Sequence, residues 1–257
     1  MIQLSAVIIT YNEERNIARC LDSIKGIADE IVVVDSFSND KTADICKAYG
    51  AKIIQHAFEG HIEQKNYALR QASFPFAISL DADEALSDEL QRSVIAVKSN
   101  WLCDGYEMNR LTNYCGAWIH HGSWYPDRKL RLFEIRKGKW IGVNPHDRYE
   151  FLEQDVNVGY IKGDILHYSY YSISDHVKQV DYFTEISARI LYENGRKPSL
   201  LKLLFSPIFK FIRDYFFKGG WMNGYYGLII CAISSCAVFI KHSKLKELWK
   251  EQAKRVK

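Results

Sequence analysis

The first part of the chain alternates short apolar runs with stretches of helical spacing, and few architectures accommodate that alternation. Leu4 to Thr10 reads LSAVIIT, Glu30 to Val34 EIVVV, Ala51 to Gln55 AKIIQ and Phe76 to Leu80 FAISL. Runs of this length, mostly rich in Ile and Val and bounded by polar clusters, read as strands, and the most continuous of them as strands buried on both faces. Between them, Arg15 to Ile24, Lys41 to Tyr49 and Gln64 to Ala72 carry helical patterns, with Asn12 as the expected N-cap of the first and Gly50 ending the second. The spacing predicts an α/β fold with a mostly parallel, doubly wound sheet flanked by helices. After a further helix over Ser87 to Asn100, Tyr106 to Arg110 and Lys129 to Glu134 alternate like antiparallel strands. Residues 101–195 then form the second half of a domain spanning 1–195 and the other wall of its site.

In such sheets ligands bind beyond the carboxyl ends of the strands. Thr10 to Glu13, Asp35 to Asp40 and Asp81 to Glu84 all fall there. In an extended strand, residues i and i+2 face the same way, so Asp81 and Asp83 can aim at one point across Ala82. Two carboxylates at that spacing suit Mg²⁺ or Mn²⁺, which keeps other positions for phosphate and water. An Asp-x-Asp alone is more often a solvated turn. Its convergence with the other two polar loops is what points to a ligand site.

Six cysteines show neither a Cys-x-x-Cys pair nor a histidine at zinc-finger spacing, so reduced, buried thiols are expected. The N-terminus enters a strand without a basic and apolar leader, which points to a cytoplasmic catalytic domain. The net charge of +3 conceals a polarity: Lys197 to Lys257 holds twelve Lys and Arg against Asp214, Glu247 and Glu251, giving +9 there and −6 elsewhere. Such a tail suits a polyanion, with anionic lipid, nucleic acid or a plain solvated helix as the readings.

Within that tail, Leu200 to Lys218 has the pattern of a basic amphipathic helix, which Pro207 is expected to kink or split. Trp221 to Ile240 carries no charge, so it can lie at a bilayer interface, cross the bilayer or pack as a soluble hairpin. Lys241 to Lys257 reads as a charged surface helix, and 196–257 together as a membrane-associating appendage.

The segments VIITYNEERNI, VVVDSFSNDKT, QKNYAL and LDADEALS resemble the family 2 inverting glycosyltransferases of GT-A fold. YPDRKLRLF, WIGVNPHDRYEF and the basic, apolar C-terminus resemble more narrowly the bacterial lipopolysaccharide core β-1,4-glucosyltransferases. The motifs cover about the first 150 residues. By position the resemblance implies that Thr10, Tyr11 and Glu13 border a nucleotide-sugar, that Asp35 meets base or ribose, and that Lys65 contacts base or phosphate. It makes Asp83 the direct metal ligand, with Asp81 nearer the ribose and the metal's waters. The implied donor is a UDP-sugar carrying glucose or a similar hexose. The implied acceptor is a lipid-linked glycan met at the cytoplasmic face of the inner membrane, with no nucleic acid involved.

Inversion demands a base for the acceptor hydroxyl. His146-Asp147 stands where the subgroup usually shows His-Glu after a Trp-x-Gly segment, here Trp140-Ile141-Gly142, so Asp147 is the expected base, one methylene shorter. Glu107 and Asp127 are rivals, and Asp147 can instead pair with Arg148. His146 can orient the base, touch phosphate or be a core histidine. Arg128 and Arg131 can hold diphosphate or an anionic acceptor, or serve only their strand. Trp118, Trp124, Trp140 and Tyr125 suit sugar stacking or core packing, and His120-His121 a surface. Two other functions fit parts of the pattern: a nucleotidyltransferase, although the first loop lacks a Gly-rich phosphate cradle, and a nonenzymatic membrane- or polyanion-binding protein.

Overall fold

The computed structural model describes residues 1–143 and 146–255, with the side chains of His146 and Arg255 left aside. By contact the chain divides into two compact units, Met1–Leu111 with Asp127–Tyr168, and Thr112–Pro126 with Ser169–Lys257.

In the first unit, β1 (Leu4–Thr10), α1 (Ile17–Ile24), β2 (Glu30–Asp35), α2 (Thr42–Ala48), β3 (Lys52–Gln55), α3 (His61–Arg70) and β4 (Phe76–Asp81) follow the expected alternation. β5 (Glu84–Leu86), α4 (Asp88–Ser99), β6 (Gly105–Tyr114), β8 (Arg128–Glu134), β9 (Gly138–Val143), β10 (His146–Phe151) and β11 (Val158–Tyr170) complete it, with β6 and β11 running on into the second unit. The main sheet has the order β3-β2-β1-β4-β8-β6-β11-β5; its β3-β2-β1-β4 part is parallel, and β8 joins β4 antiparallel. β9 and β10 form a separate antiparallel hairpin. The continuous apolar runs are buried because helices cover both faces: Ile8, Leu21, Ile24 and Ile78 form one core, and Val7, Ala68, Phe133 and Trp140 another.

Where β11 crosses the start of α4, contact is close. Gly163 has a φ of +97°, and a Cβ there would lie 2.3 Å from the Leu90 nitrogen, so only glycine fits. Beside it Ser87 caps α4 through Leu90 N–H and also accepts the Asp164 N–H.

The second unit holds β7 (Ala117–Trp118), paired with the end of β6, and the helices α5 (Ile173–Glu193), α6 (Leu200–Ile212) and α7 (Gly224–Arg255). Tyr114, Ile119 and Ile230 form its buried centre with Trp124, Tyr170 and Tyr226 around them.

Three local expectations are corrected. Asn12 does not cap α1: it sits at φ +53° and the helix starts at Ile17. α6 continues through Pro207, so the expected split does not occur, and a π-helical turn, Arg213–Phe217, follows. Lys241 onward is no separate helix but the continuation of α7. The stretch Gly220–Lys254 is long and apolar enough to cross a bilayer by length and composition. All six cysteines are free; Cys20, Cys46 and Cys231 are buried as expected, whereas Cys236 is exposed.

Candidate active site

Thr10 at the end of β1 pairs with Asp35 at the end of β2, and Ile9 with Asp81 at the end of β4, so three polar strand ends share one edge. The loops that follow β1 and β2 are laced together. Asn12 N–H donates to Ser38 Oγ at 2.8 Å, Asn39 N–H to Asn12 Oδ1 at 2.9 Å, Glu13 N–H to Thr42 Oγ1 at 2.8 Å, and Lys41 N–H to Glu14 Oε2 at 3.1 Å. Asp35 is fully buried and turns its carboxylate to the Ser38 N–H and hydroxyl, shaping its own loop. Tyr11 stands exposed on this rim. Thr10 Oγ1 is buried without a hydrogen bond among the described residues. Glu13 accepts a bond from Asn16; burial pushes its carboxyl up to about 7, against that bond, with the Asp83 charge adding to the rise.

β4 stops at Asp81 and a turn intervenes before β5, so Asp81 and Asp83 are not consecutive same-face positions of one strand, contrary to the i, i+2 expectation. Their carboxylates meet different partners. Lys65 Nζ lies 3.0 Å from Asp81 Oδ1 and donates to Oδ2 at 3.2 Å, while Arg131 donates to Oδ2 at 3.3 Å. Burial works against the ionised form of Asp81, but Lys65 and Arg131 hold it far below the usual carboxylate range. Asp83 instead faces His167, whose Nε2 lies 3.1 Å from Oδ2; here too burial is outweighed, and His167 lowers the carboxyl. Glu84, fully buried, accepts the Asp81 N–H at 3.0 Å and pairs with Arg131 at 3.0 Å and Arg110 at 3.5 Å. This buried pair keeps the Arg131 guanidinium fixed behind the acidic turn.

The base candidate arrives on another element. Asn66 of α3 donates to the Trp140 carbonyl at 2.8 Å and accepts the Trp140 N–H at 2.9 Å, which fastens the β9–β10 hairpin to the helix. One residue earlier, Lys65 reaches Asp147 Oδ2 at 2.7 Å. Trp140 supplies an apolar floor under both cations, with Lys65 Nζ 4.6 Å and the Arg131 guanidinium 5.2 Å from its ring centroid. Lys65, Asp81, Arg131, Glu84 and Asp147 thus form one network.

Other candidates lie outside it. Arg148 pairs with Glu150 at 2.7 Å rather than with Asp147. Asp127 is taken by Arg110 and Lys129, each at 2.9 Å. Glu107 stands in β6 opposite Leu130. Arg128 is exposed, its guanidinium over the Tyr160 ring, so of the two arginines the structure brings only Arg131 to the acidic turn. The His146 side chain lies outside the described residues. Trp124 packs among Tyr114, Tyr170 and His176, and the His120 and His121 N–H groups bind Asn223.

Sequence reasoning missed His167. A histidine inside an apolar strand, 84 positions from its partner, carries no local signal; only the antiparallel pairing of His167 with Glu84 brings it to the turn.

The donor set fits a hard divalent cation. Asp81 and Asp83 are both held ionised within one turn, so they offer hard carboxylate oxygens. The described residues hold no group of three or more His, Cys, Asp or Glu that could hold a metal ion by themselves.

The model of the family described as glycosyl transferase family 2 matches residues 5–140. An uncharacterized glycosyltransferase of Rickettsia typhi is 31% identical over 96% of this chain and 88% of its own length. The lipopolysaccharide core biosynthesis glycosyltransferase LpsC of Rhizobium meliloti is 30% identical over 95% of this chain and 92% of its own length. Among solved structures, residues 1–349 of S. aureus TarS align with a TM-score of 0.47 at 16% identity, covering 98% of this chain and 92% of that one. The main sheet joins a parallel half, β3-β2-β1-β4, flanked by helices to antiparallel strands, and the chain belongs to glycosyl transferase family 2.

Proposed function

We propose that this glycosyltransferase moves a hexose, glucose by the subgroup resemblance, from a UDP-sugar to a lipid-linked core glycan with inversion at the anomeric carbon. The observation that carries the reading is the single lysine shared by Asp81, at the strand-end turn, and Asp147, on the β9–β10 hairpin. The relative named for lipopolysaccharide core biosynthesis supports the acceptor class and a place at the cytoplasmic face of the inner membrane.

The residues divide the work. The laced loops after β1 and β2 offer a preformed rim for the nucleoside, with Tyr11 and Glu13 on it and the buried Thr10 and Asp35 behind it. Asp83 and His167, with Asp81 beside them, are the residues that would hold Mg²⁺ or Mn²⁺, which supplies neutralisation of charge gathering on the departing diphosphate. Lys65 and Arg131 add fixed positive charge behind that turn. Asp147 accepts the proton of the acceptor hydroxyl as its oxygen bonds to the anomeric carbon and the bond to UDP breaks. The Lys65 pairing keeps Asp147 oriented for that task.

The test is a transfer assay with UDP-glucose and core oligosaccharide lipid, the product's anomeric configuration being read by NMR. A β-linked product that Asp147→Asn fails to form, while donor binding persists, supports the reading. An unimpaired variant, or retention of configuration, overturns it.

A further inference from the structure

We propose that the outward face of α6 docks on an anionic lipid bilayer. α6 lies against α7 with Pro207 buried and its carbonyl accepting the Ser235 hydroxyl at 2.6 Å, which sets the inner face. On the other side Leu201, Leu204, Phe205, Ile208, Phe209 and Ile212 recur at the spacing of one helical stripe, and all are exposed, Phe205 by 61% and Phe209 by 66%. The π-helical turn extends the apolar surface with Phe217, 82% exposed, and Trp221 follows it. A continuous apolar face of this kind marks an interaction site.

Charge identifies the occupant. Between Leu200 and His242 the only carboxylate is Asp214, and it is neutralised by Lys210 at 2.7 Å and Arg213 at 2.8 Å. The contact of Ser235 with Pro207 in an antiparallel pair puts Lys202 level with the segment holding Lys241 and His242. Neither Lys202 nor Lys241 has an ion pair among the described residues, and His242 Nδ1 is buried there without a hydrogen bond. Burial, then Lys241 and Lys202, depress the His242 imidazole, which shows how closely these groups are crowded. An uncompensated basic cluster beside an apolar stripe matches a lipid surface, whose phosphates meet the cations while its acyl chains cover the stripe. A nucleic acid would leave the stripe in water, and a second copy would bring a tail of the same sign against it.

The inference gives the proposed membrane location its contact face and rests on that location for its biological sense, but its test uses no sugar transfer. The full chain is sedimented with phosphatidylcholine vesicles with and without phosphatidylglycerol, across a salt series. Binding should require the anionic lipid, weaken with salt, and fall at least about tenfold in the doubly substituted Phe205→Glu/Phe209→Glu chain. Lys202→Gln and Lys241→Gln should each cost about fivefold. Melting and UDP titration check that these variants remain folded. Equal binding by the Glu variant, salt-resistant binding of α7 as a span, or a dimer that the same substitutions split would each overturn the proposal. Lost UDP binding with vesicle binding intact would count against the transferase reading alone.

Discussion

Lys65 Nζ stands 2.7 Å from the Asp147 carboxylate, although the two residues are 82 positions apart in the chain. The pair joins α3 to the β9–β10 hairpin, which sequence alone leaves undescribed. Replacing Asp147 with Asn should lower kcat by about 10²–10⁴-fold, the usual contribution of a positioned base. Lys65→Met should lower kcat with a smaller effect on donor KM, and Lys65→Arg should recover part of it. Steady-state kinetics check both; equal losses in kcat and donor binding for Lys65→Met would make the lysine a donor contact instead.

His167 and Asp83 should act together in metal affinity. His167→Ala is expected to weaken Mn²⁺ affinity, read through UDP binding, by about 10–100-fold, as loss of a metal-ligand partner does. Titration calorimetry with and without Mn²⁺ measures this directly. Unchanged metal dependence would assign His167 to holding the turn.

The Asn66 carboxamide makes two hydrogen bonds to the Trp140 backbone, so Asn66→Ala leaves both backbone groups without their partner. The expected loss is about 1–3 kcal/mol per buried polar group left unpaired. Chemical denaturation gives the value. Because the hairpin also carries Asp147, activity should fall further than stability explains.

Glu13 predicts a pH dependence. Its folded carboxyl is raised by burial from 4.5 to about 7, so between those values the folded state binds more protons than the unfolded one. This contribution to stability therefore falls as pH rises through the window, with a slope of at most ~1.4 kcal/mol per pH unit. Glu13→Gln should flatten that part of the curve. Melting temperatures from pH 5 to 8, compared for the two chains, decide it.

The parallel half of the sheet was legible because buried strands announce themselves by apolar continuity, and boundaries fell within a few residues for β1 through β4. Asp81 stands out by its place at a strand end, Lys65 by the family resemblance and Arg131 by its Arg-rich strand, and the three do come together. Glu84 and His167 were overlooked for opposite reasons. Glu84 looked like one more charge in an acidic turn, whereas long-range pairing to Arg131 buries it completely. His167 depends on a strand pairing between β5 and β11 that no local pattern encodes. Pro207 does not split α6: its local penalty is legible in the sequence, whereas the Ser235 contact to its carbonyl is not.

The lacing of the loop after β1 to the loop after β2 has a kinetic consequence. Both loops are already ordered by bonds such as Asn12 to Ser38 and Glu13 to Thr42, so the entropy of arranging them is spent during folding and not at encounter. Under the proposed function a nucleotide would meet loops already in place, and its association rate should reflect diffusion and charge with no slow ordering phase of these segments.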